Sequence, residues 1–251
     1  MNGFKRVVVT CGVFALAGCT GVQGNGHSVV DDRTTGSFDA IEADTSLDVV
    51  VTFGETPSVT ITTDGNLLGD VTTEVIDGTL RIRDTVDIWP RTPSLVSIVV
   101  PTLRAVDADG SGAMNVTGFS GPSFHLGNHG SGHFTASLQA SALDVALDGS
   151  GGTTIAGDTD EVAITEGGSG SLDASALVAR GAVVRLDGSG SATFASTGAT
   201  DLTSTGSGSI HAQLDDGTTK LACEGSGSIR WRGNAKVVAE ETTGSGSIVH
   251  E

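Results

Sequence analysis

The chain has no tyrosine, two tryptophans, five prolines and three cysteines among 251 residues, and only 13 basic residues against 30 acidic ones. Each shortage excludes something. Three cysteines cannot build the disulfide framework of a small secreted scaffold. A formal net charge of −17 repels a phosphate backbone, so nucleic acid is excluded as a partner. Eight phenylalanines and two tryptophans are a thin supply for lining a polysaccharide groove. Glycine, in contrast, is abundant, at 37 residues. An apolar share of 37% rules out both a collagen-like chain and a disordered acidic one.

The N-terminus reads as a processing signal. Lys5 and Arg6 precede an apolar run, Val7 to Ala17, that is too short for a finished transmembrane helix. It ends in Leu16-Ala17-Gly18-Cys19, which resembles the lipobox of bacterial lipoproteins. The resemblance implies removal of a signal peptide, residues 1–18, and lipidation of Cys19. The protein would then be held at a cell membrane or outer membrane, on the extracytoplasmic side, by lipid alone. Cys11 would leave with the signal, and Cys223 would be the remaining free thiol. From Cys19 onward the chain has 11 basic and 30 acidic residues, a net charge of −19. Residues 19–35, rich in Gly, Ser, Thr and Asp with little periodicity, read as a flexible tether.

The strongest signal is a repeat. Gly-Ser-Gly begins at Gly110, Gly130, Gly149, Gly168, Gly188, Gly206, Gly225 and Gly244, at spacings of 18 to 20 residues. Four residues after each first glycine come Met114, Phe134, Thr153, Leu172, Ala192, Ile210, Ile229 and Ile248. Two further on come Val116, Ala136, Ile155, Ala174, Phe194, Ala212, Trp231 and His250. Four before stand Val106, Leu126, Val145, Ile164, Val184, Leu202 and Leu221, a column that Glu240 breaks. Apolar residues two apart mean strands with one buried face. Each repeat is therefore strand, bend, strand and a polar corner such as Asp158-Thr159-Asp160 or Asp215-Asp216-Gly217. A unit of about 19 residues fits one coil of a parallel β-helix, and seven steps of ~4.8 Å make a rod of roughly 34 Å.

Stacked coils need bends that leave room for backbone above and below, and φ values closed to side chains, which accounts for the glycines. The serines Ser111, Ser131, Ser150, Ser169, Ser189, Ser207, Ser226 and Ser245 would form a hydroxyl ladder along the axis. A phosphate-binding loop is the wrong reading, since no lysine follows and no helix pattern begins.

Residues 36–101 lack the tripeptide and read as β-rich coils or a cap, with residues 102–251 as the regular β-helix. Strand patterns stand at Phe38–Ile41, Leu47–Val51, Val59–Ile61, Leu80–Ile82 and Leu95–Val100, separated by turns such as Asp64-Gly65-Asn66 and Asp77-Gly78. Phe38-Asp39-Ala40-Ile41, Leu47-Asp48-Val49-Val50-Val51-Thr52, Val75-Ile76-Asp77-Gly78-Thr79-Leu80 and Val99-Val100-Pro101-Thr102-Leu103, followed by Gly-Ser-Gly coils, resemble the head GIN domain family. That family is a bacterial domain without an assigned function, named for auto-transporter adhesin heads. The resemblance implies a right-handed parallel β-helix, an envelope location and a role in adhesion, binding or scaffolding, and it brings no catalytic pattern.

Some residues suggest chemistry. His125, His129 and His133 recur around the Gly130 bend, and clustered imidazoles can bind a transition metal; the bend between them, however, sends them apart. Asp109, Asp148 and Asp187 stand just before their bends, where stacking would bring acids within reach of Ca²⁺, but Gly, Thr or His intervenes in neighbouring coils. No cofactor is expected. The rival class is a carbohydrate-active β-helix enzyme, a lyase or hydrolase, which needs paired carboxylates and exposed aromatics in a groove; Trp89, beside Pro90, is the one aromatic placed to be exposed. Cys223 reads as a small core residue. The strand Ile248–His250 ends the repeats with no charged cap beyond, so end-to-end pairing of copies, or capture of a protein or glycan ligand, is expected there or along the rod.

Overall fold

The computed structural model describes residues 21–251. The signal sequence and the Cys19 lipidation site lie outside the described residues. The chain is all-β, 67% strand, and winds into a β-solenoid of about 8 turns at about 19-residue spacing. Among the described residues no helix is long and apolar enough to cross a membrane. The first ten strands are β1 Val22–Gln23, β2 Ser28–Arg33, β3 Ala40–Asp44, β4 Asp48–Phe53, β5 Ser58–Asp64, β6 Val71–Ile76, β7 Thr79–Asp84, β8 Ile88–Trp89, β9 Leu95–Val100 and β10 Ala105–Ala108. The rod continues with β11 Met114–Asn128, β12 Phe134–Leu147, β13 Gly152–Glu166, β14 Ser171–Leu186, β15 Ser191–Ser196 and β16 Thr200–Ser204. It finishes with β17 Ser209–Leu214, β18 Thr218–Gly225, β19 Ser228–Gly233, β20 Lys236–Gly244 and β21 Ser247–His250.

Along the rod every coil pairs in parallel with the next. The column four residues before the bend runs Val106, Leu126, Val145, Ile164, Val184, Leu202, Leu221 in unbroken register. The column six after alternates in size: Ala136 over Ile155, then Ala174, Phe194, Ala212 and Trp231, all buried. A small residue beside each large one fills the narrow interior to native density without strain. In β11 to β14 the strand runs on through the expected polar corner. Asp158-Thr159-Asp160 lies inside β13, and Thr159 is buried with its hydroxyl donating to the Glu161 carbonyl at 2.9 Å. From β15 onward the corner breaks the strand, and at Asp216-Gly217 both residues take positive φ, 64° and 71°.

At the N-terminal end, order along the rod is not order along the chain. β3 and β4 form a coil that pairs with β10 and β11 on one side, and with β7 and β9 on the other. The chain thus builds the second coil first, then the outermost, and then crosses back to begin the repeats. Antiparallel strands close the stack: β6 covers β7, β5 covers β9, and β2 covers β5. The β6–β7 hairpin turns at Asp77-Gly78 with φ of 50° and 76°, the twist a two-residue hairpin requires. Phe53, Phe119 and Phe124 pack together where this cap meets the rod, with ring centroids 5.9 and 4.6 Å apart. One core runs from Ile41 to Ala235.

Two expectations change here. Residues 19–35 are not a tether over their described part: β1 pairs with β8, and β2 with β5. β2 is an edge strand held by main-chain hydrogen bonds, and its Val29 and Val30 are exposed, so no buried face exists for an alternating pattern to mark. The serine hydroxyls also do not form the ladder. The bends are tied instead by main chain, as in Ser150 N–H donating to the Gly130 carbonyl and Ser169 N–H to that of Gly149, each at 3.1 Å. Of the bend serines only Ser226 and Ser245 join hydroxyl to hydroxyl, at 3.2 Å, and the bend serine side chains point to solvent.

The bend glycines owe their identity to space. A Cβ on Gly130 would collide with the carbonyl oxygen of Gly110, and one on Gly149 with that of Gly130. Of the eight first glycines, only Gly225 and Gly244 take a positive φ. At the second glycine of the earlier bends the obstacle is again backbone, whereas in later ones a side chain of the preceding coil adds to it: Leu186 lies under Gly208, Ser204 under Gly227 and Cys223 under Gly246.

Candidate functional site

The histidines and acids of the repeats meet on one outer face of the rod. His125 lies in register with Ala105 and Asp144 of the neighbouring coils. Its Nδ1 is 2.7 Å from Asp144 and its Nε2 3.3 Å from Asp107. His129 sits likewise between Asp148, at 3.2 Å, and Asp107, at 3.7 Å. The hydrogen bond to Asp107, opposed by burial and helped by Asp144, pushes His125 up to about 9. His125 is therefore an imidazolium at neutral pH, with both N–H groups donating to carboxylates. The same bond from His125 holds Asp107 below the usual carboxylate range.

This arrangement is a charge ladder, acid and base alternating from coil to coil, which removes the repulsion of stacked carboxylates. With both ring nitrogens engaged by carboxylates, His125 has no lone pair to give a metal ion. His133 stands apart across the bend, its Nε2 3.3 Å from the Thr154 hydroxyl. Asp109 and Asp148 are separated by the coil of His129, and Asp187 accepts from the Thr205 hydroxyl at 2.7 Å. Among the described residues no three His, Cys, Asp or Glu side chains converge as a metal ion requires.

Cys223 is fully buried, donating to the Gly227 carbonyl at 3.5 Å. The residue that sequence reasoning missed shares its column. Glu166 stands in register with Leu147 and Leu186, is 1% exposed, and neither of its carboxylate oxygens has a hydrogen-bond partner. Burial pushes its pKa up to about 7, only partly offset by the nearby Ser191 N–H. The signal was available: an acid two residues before its bend occupies the position that leucine fills in the coils on either side.

The cap carries its own polar hub. Asp64 is enclosed, and although burial works against its charge, N–H donors of Arg91, Thr92 and Gly26 hold its pKa below the usual range. Trp89, at the end of β8, is 47% exposed. At the opposite end Glu240 stands in the inner column above Leu221, and His250 stacks on Trp231 with ring centroids 3.7 Å apart. Glu251 receives Arg232 at 2.7 Å and Arg230 at 3.5 Å. Polar side chains thus occupy core positions in this coil, and end-to-end stacking of a second copy would bury Glu240.

The sequence profile of the family described as "Putative auto-transporter adhesin, head GIN domain" matches residues 37–213. Among solved structures, an adhesin-like protein from Parabacteroides merdae superposes with a TM-score of 0.76 at 21% identity, covering 92% of this chain and 98% of that one. One from Bacteroides fragilis gives 0.74 at 20% identity, covering 92% and 100%. A protein from Parabacteroides distasonis described as lipid binding gives 0.70 at 21%, again covering 92% and 100%. At these identities the likeness shows the shared fold. No curated protein matches the chain.

Proposed function

The chain belongs to the head GIN domain family, and from that premise we propose that it is a non-enzymatic adhesion or binding protein of the bacterial envelope, anchored by lipid on Cys19. The observation that carries this reading is the family match across a rod whose interior is filled with side chains, which leaves its surface to do the work. The adhesin-like neighbours support an extracytoplasmic, cell-surface location. Anchoring at Cys19 would set the cap end, which carries the Val22–Gln23 strand, beside the membrane.

The rival reading, a carbohydrate-active enzyme, needs a carboxylic acid poised near neutral pH against a substrate. Glu166 has such a pKa but is sealed in the core, where no substrate reaches it.

The test has two readouts. Cells expressing the full chain are fed an alkyne-tagged fatty acid, and beads coated with residues 19–251 are laid on mucin and on isolated envelope polysaccharide. Label on the wild type, its loss in Cys19→Ser with release of the protein from membranes, and bead adhesion are the expected results. An unlabelled, freely soluble wild type would overturn the anchor, and beads that adhere to neither surface would overturn the adhesive role.

A further inference from the structure

Among the described residues Trp89 is the only exposed aromatic side chain, and it is held rather than loose. Ile88, its neighbour in β8, is buried at 3% exposure, so strand alternation turns Trp89 outward. β1 fixes the strand from the side, with the Val22 N–H donating to the Asp87 carbonyl at 2.7 Å and the Gly24 N–H to that of Trp89 at 2.9 Å. Trp89 lines a cleft of about 480 Å³ whose walls also include Val86, Asp44, Asp84, Asp87 and Ser111. The Asp84 wall is rigid as well: it accepts from the Thr45 hydroxyl at 2.7 Å and from the Ser46 N–H and hydroxyl at 2.8 Å each.

We propose that this cleft binds a neutral glycan, with the apolar face of one pyranose ring on Trp89 and its hydroxyls on Asp44, Asp87 and Ser111. The inference rests on the adhesive reading above and names its ligand class. A sugar ring has an apolar C–H face and a rim of hydroxyls that both donate and accept. The cleft offers the complement: an indole with Val86 beside it, carboxylates that only accept, and a serine hydroxyl that does either. Its volume falls in the range of about 300 to 1,000 Å³ typical of small-ligand sites, and the walls are preorganised. No lysine or arginine lines it, so uronic and sialic acids would meet three carboxylates unopposed. The hydroxyls of Thr45 and Ser46 already engage Asp84, which leaves Asp44 and Asp87 to accept from the hydroxyls of a neutral ligand.

The experiment titrates residues 19–251 with glucose-, mannose- and N-acetylglucosamine-based neutral tetrasaccharides, following the heat of binding by calorimetry for every variant and tryptophan emission for those that keep Trp89. Trp231 is buried beneath His250, so the change reports on Trp89. The expected result is a saturable blue shift with at least one sugar, insensitive to salt between about 0.05 and 0.5 M. Trp89→Ala weakens binding about tenfold or more, Asp87→Asn less, and neither moves the melting temperature appreciably because both side chains are at the surface. A flat titration with all three sugars overturns the proposal, as does a Trp89→Ala variant that binds like wild type. So does a response given only to a lysine-rich peptide and abolished by salt, which would make the cleft a cation site. Bead adhesion separates this proposal from the reading beneath it: wild-type and Trp89→Ala beads that adhere equally well sink the cleft and leave the adhesin. The mucin and envelope-polysaccharide surfaces distinguish a glycan of another cell from one of the protein's own envelope.

Discussion

The bends at Thr45-Ser46-Leu47 and at Gly149-Ser150-Gly151 occupy the same corner of the rod, and they are built from different chemistry. The second is sandwiched between two other backbones, so a Cβ on either glycine would strike a carbonyl oxygen of the coil before it. The first has a repeat coil on one side only; on the other, the Asp84 carboxylate takes up Thr45 and Ser46. Inside a stack, the space left by a neighbouring main chain dictates the residue. At an end, side chains are free to return and must supply the hydrogen bonds that the next coil would have given. The same contrast separates the two ends: antiparallel strands close the cap, whereas Glu240, His250 and Glu251 place polar groups over the far end.

The sharpest way to break this contrast is to change one side chain in each bend, adding a carbon inside the stack and removing a hydroxyl at its end. Gly149→Ala should cost on the order of 3 kcal/mol or more in urea unfolding, because the obstacle is backbone and cannot move aside. Ser46→Ala, in the corresponding bend of the cap, should cost only about 1 kcal/mol for its lost side-chain hydrogen bond to Asp84. Equal costs would show that the stack tolerates side chains at its bends.

A smaller effect tests the interior of the rod. Glu166 has a folded pKa of about 7 against about 4.5 unfolded, so the folded state holds its proton more tightly. Its destabilising effect is absent below pH 4.5, grows through the window up to 7 and is complete above it. Glu166→Leu, which joins Leu147 and Leu186 into one column, should therefore raise stability by ~2–3 kcal/mol at pH 8 and change little at pH 4.5. A melting temperature unchanged at pH 8 would mean that the carboxyl is better solvated than its enclosure indicates.

The smallest effect lies on the outer face. His125 has its pKa raised from 6.5 to about 9, so its contribution to stability is full below pH 6.5 and is lost as pH rises through 9. The ring is more than a third exposed, and screening limits the effect to within about 1 kcal/mol. His125→Gln should flatten the fall in melting temperature between pH 6 and pH 9.5 and leave the Glu166 window below pH 7 untouched.

Much of the rod was legible because each coil repeats one physical problem. The three inward columns, the bends and the buried state of Cys223 and Trp231 follow from residues two apart facing one side. The cap was legible as strands but not as an arrangement, since the path that makes β3–β4 the second coil depends on pairings between β7, β3 and β10 that leave no local pattern. β2 escaped notice because an edge strand with both faces wet needs no apolar alternation. The His125–Asp107–Asp144 ladder needed the register: these residues are 18 and 19 apart in sequence and become neighbours only when one coil stacks on the next.

By itself the sequence determined the solenoid, its step and the family, because a strand with one buried face and a bend closed to side chains leave marks at every turn. Tertiary structure alone decided where the stack begins, that main chain rather than serine hydroxyls ties the bends, and that Glu166 is enclosed without a partner. It also decided that Trp89 stands over a cleft of carboxylates. Each of these is a relation between residues far apart in the chain, fixed by the register of coil on coil, and register carries no signature within any one coil.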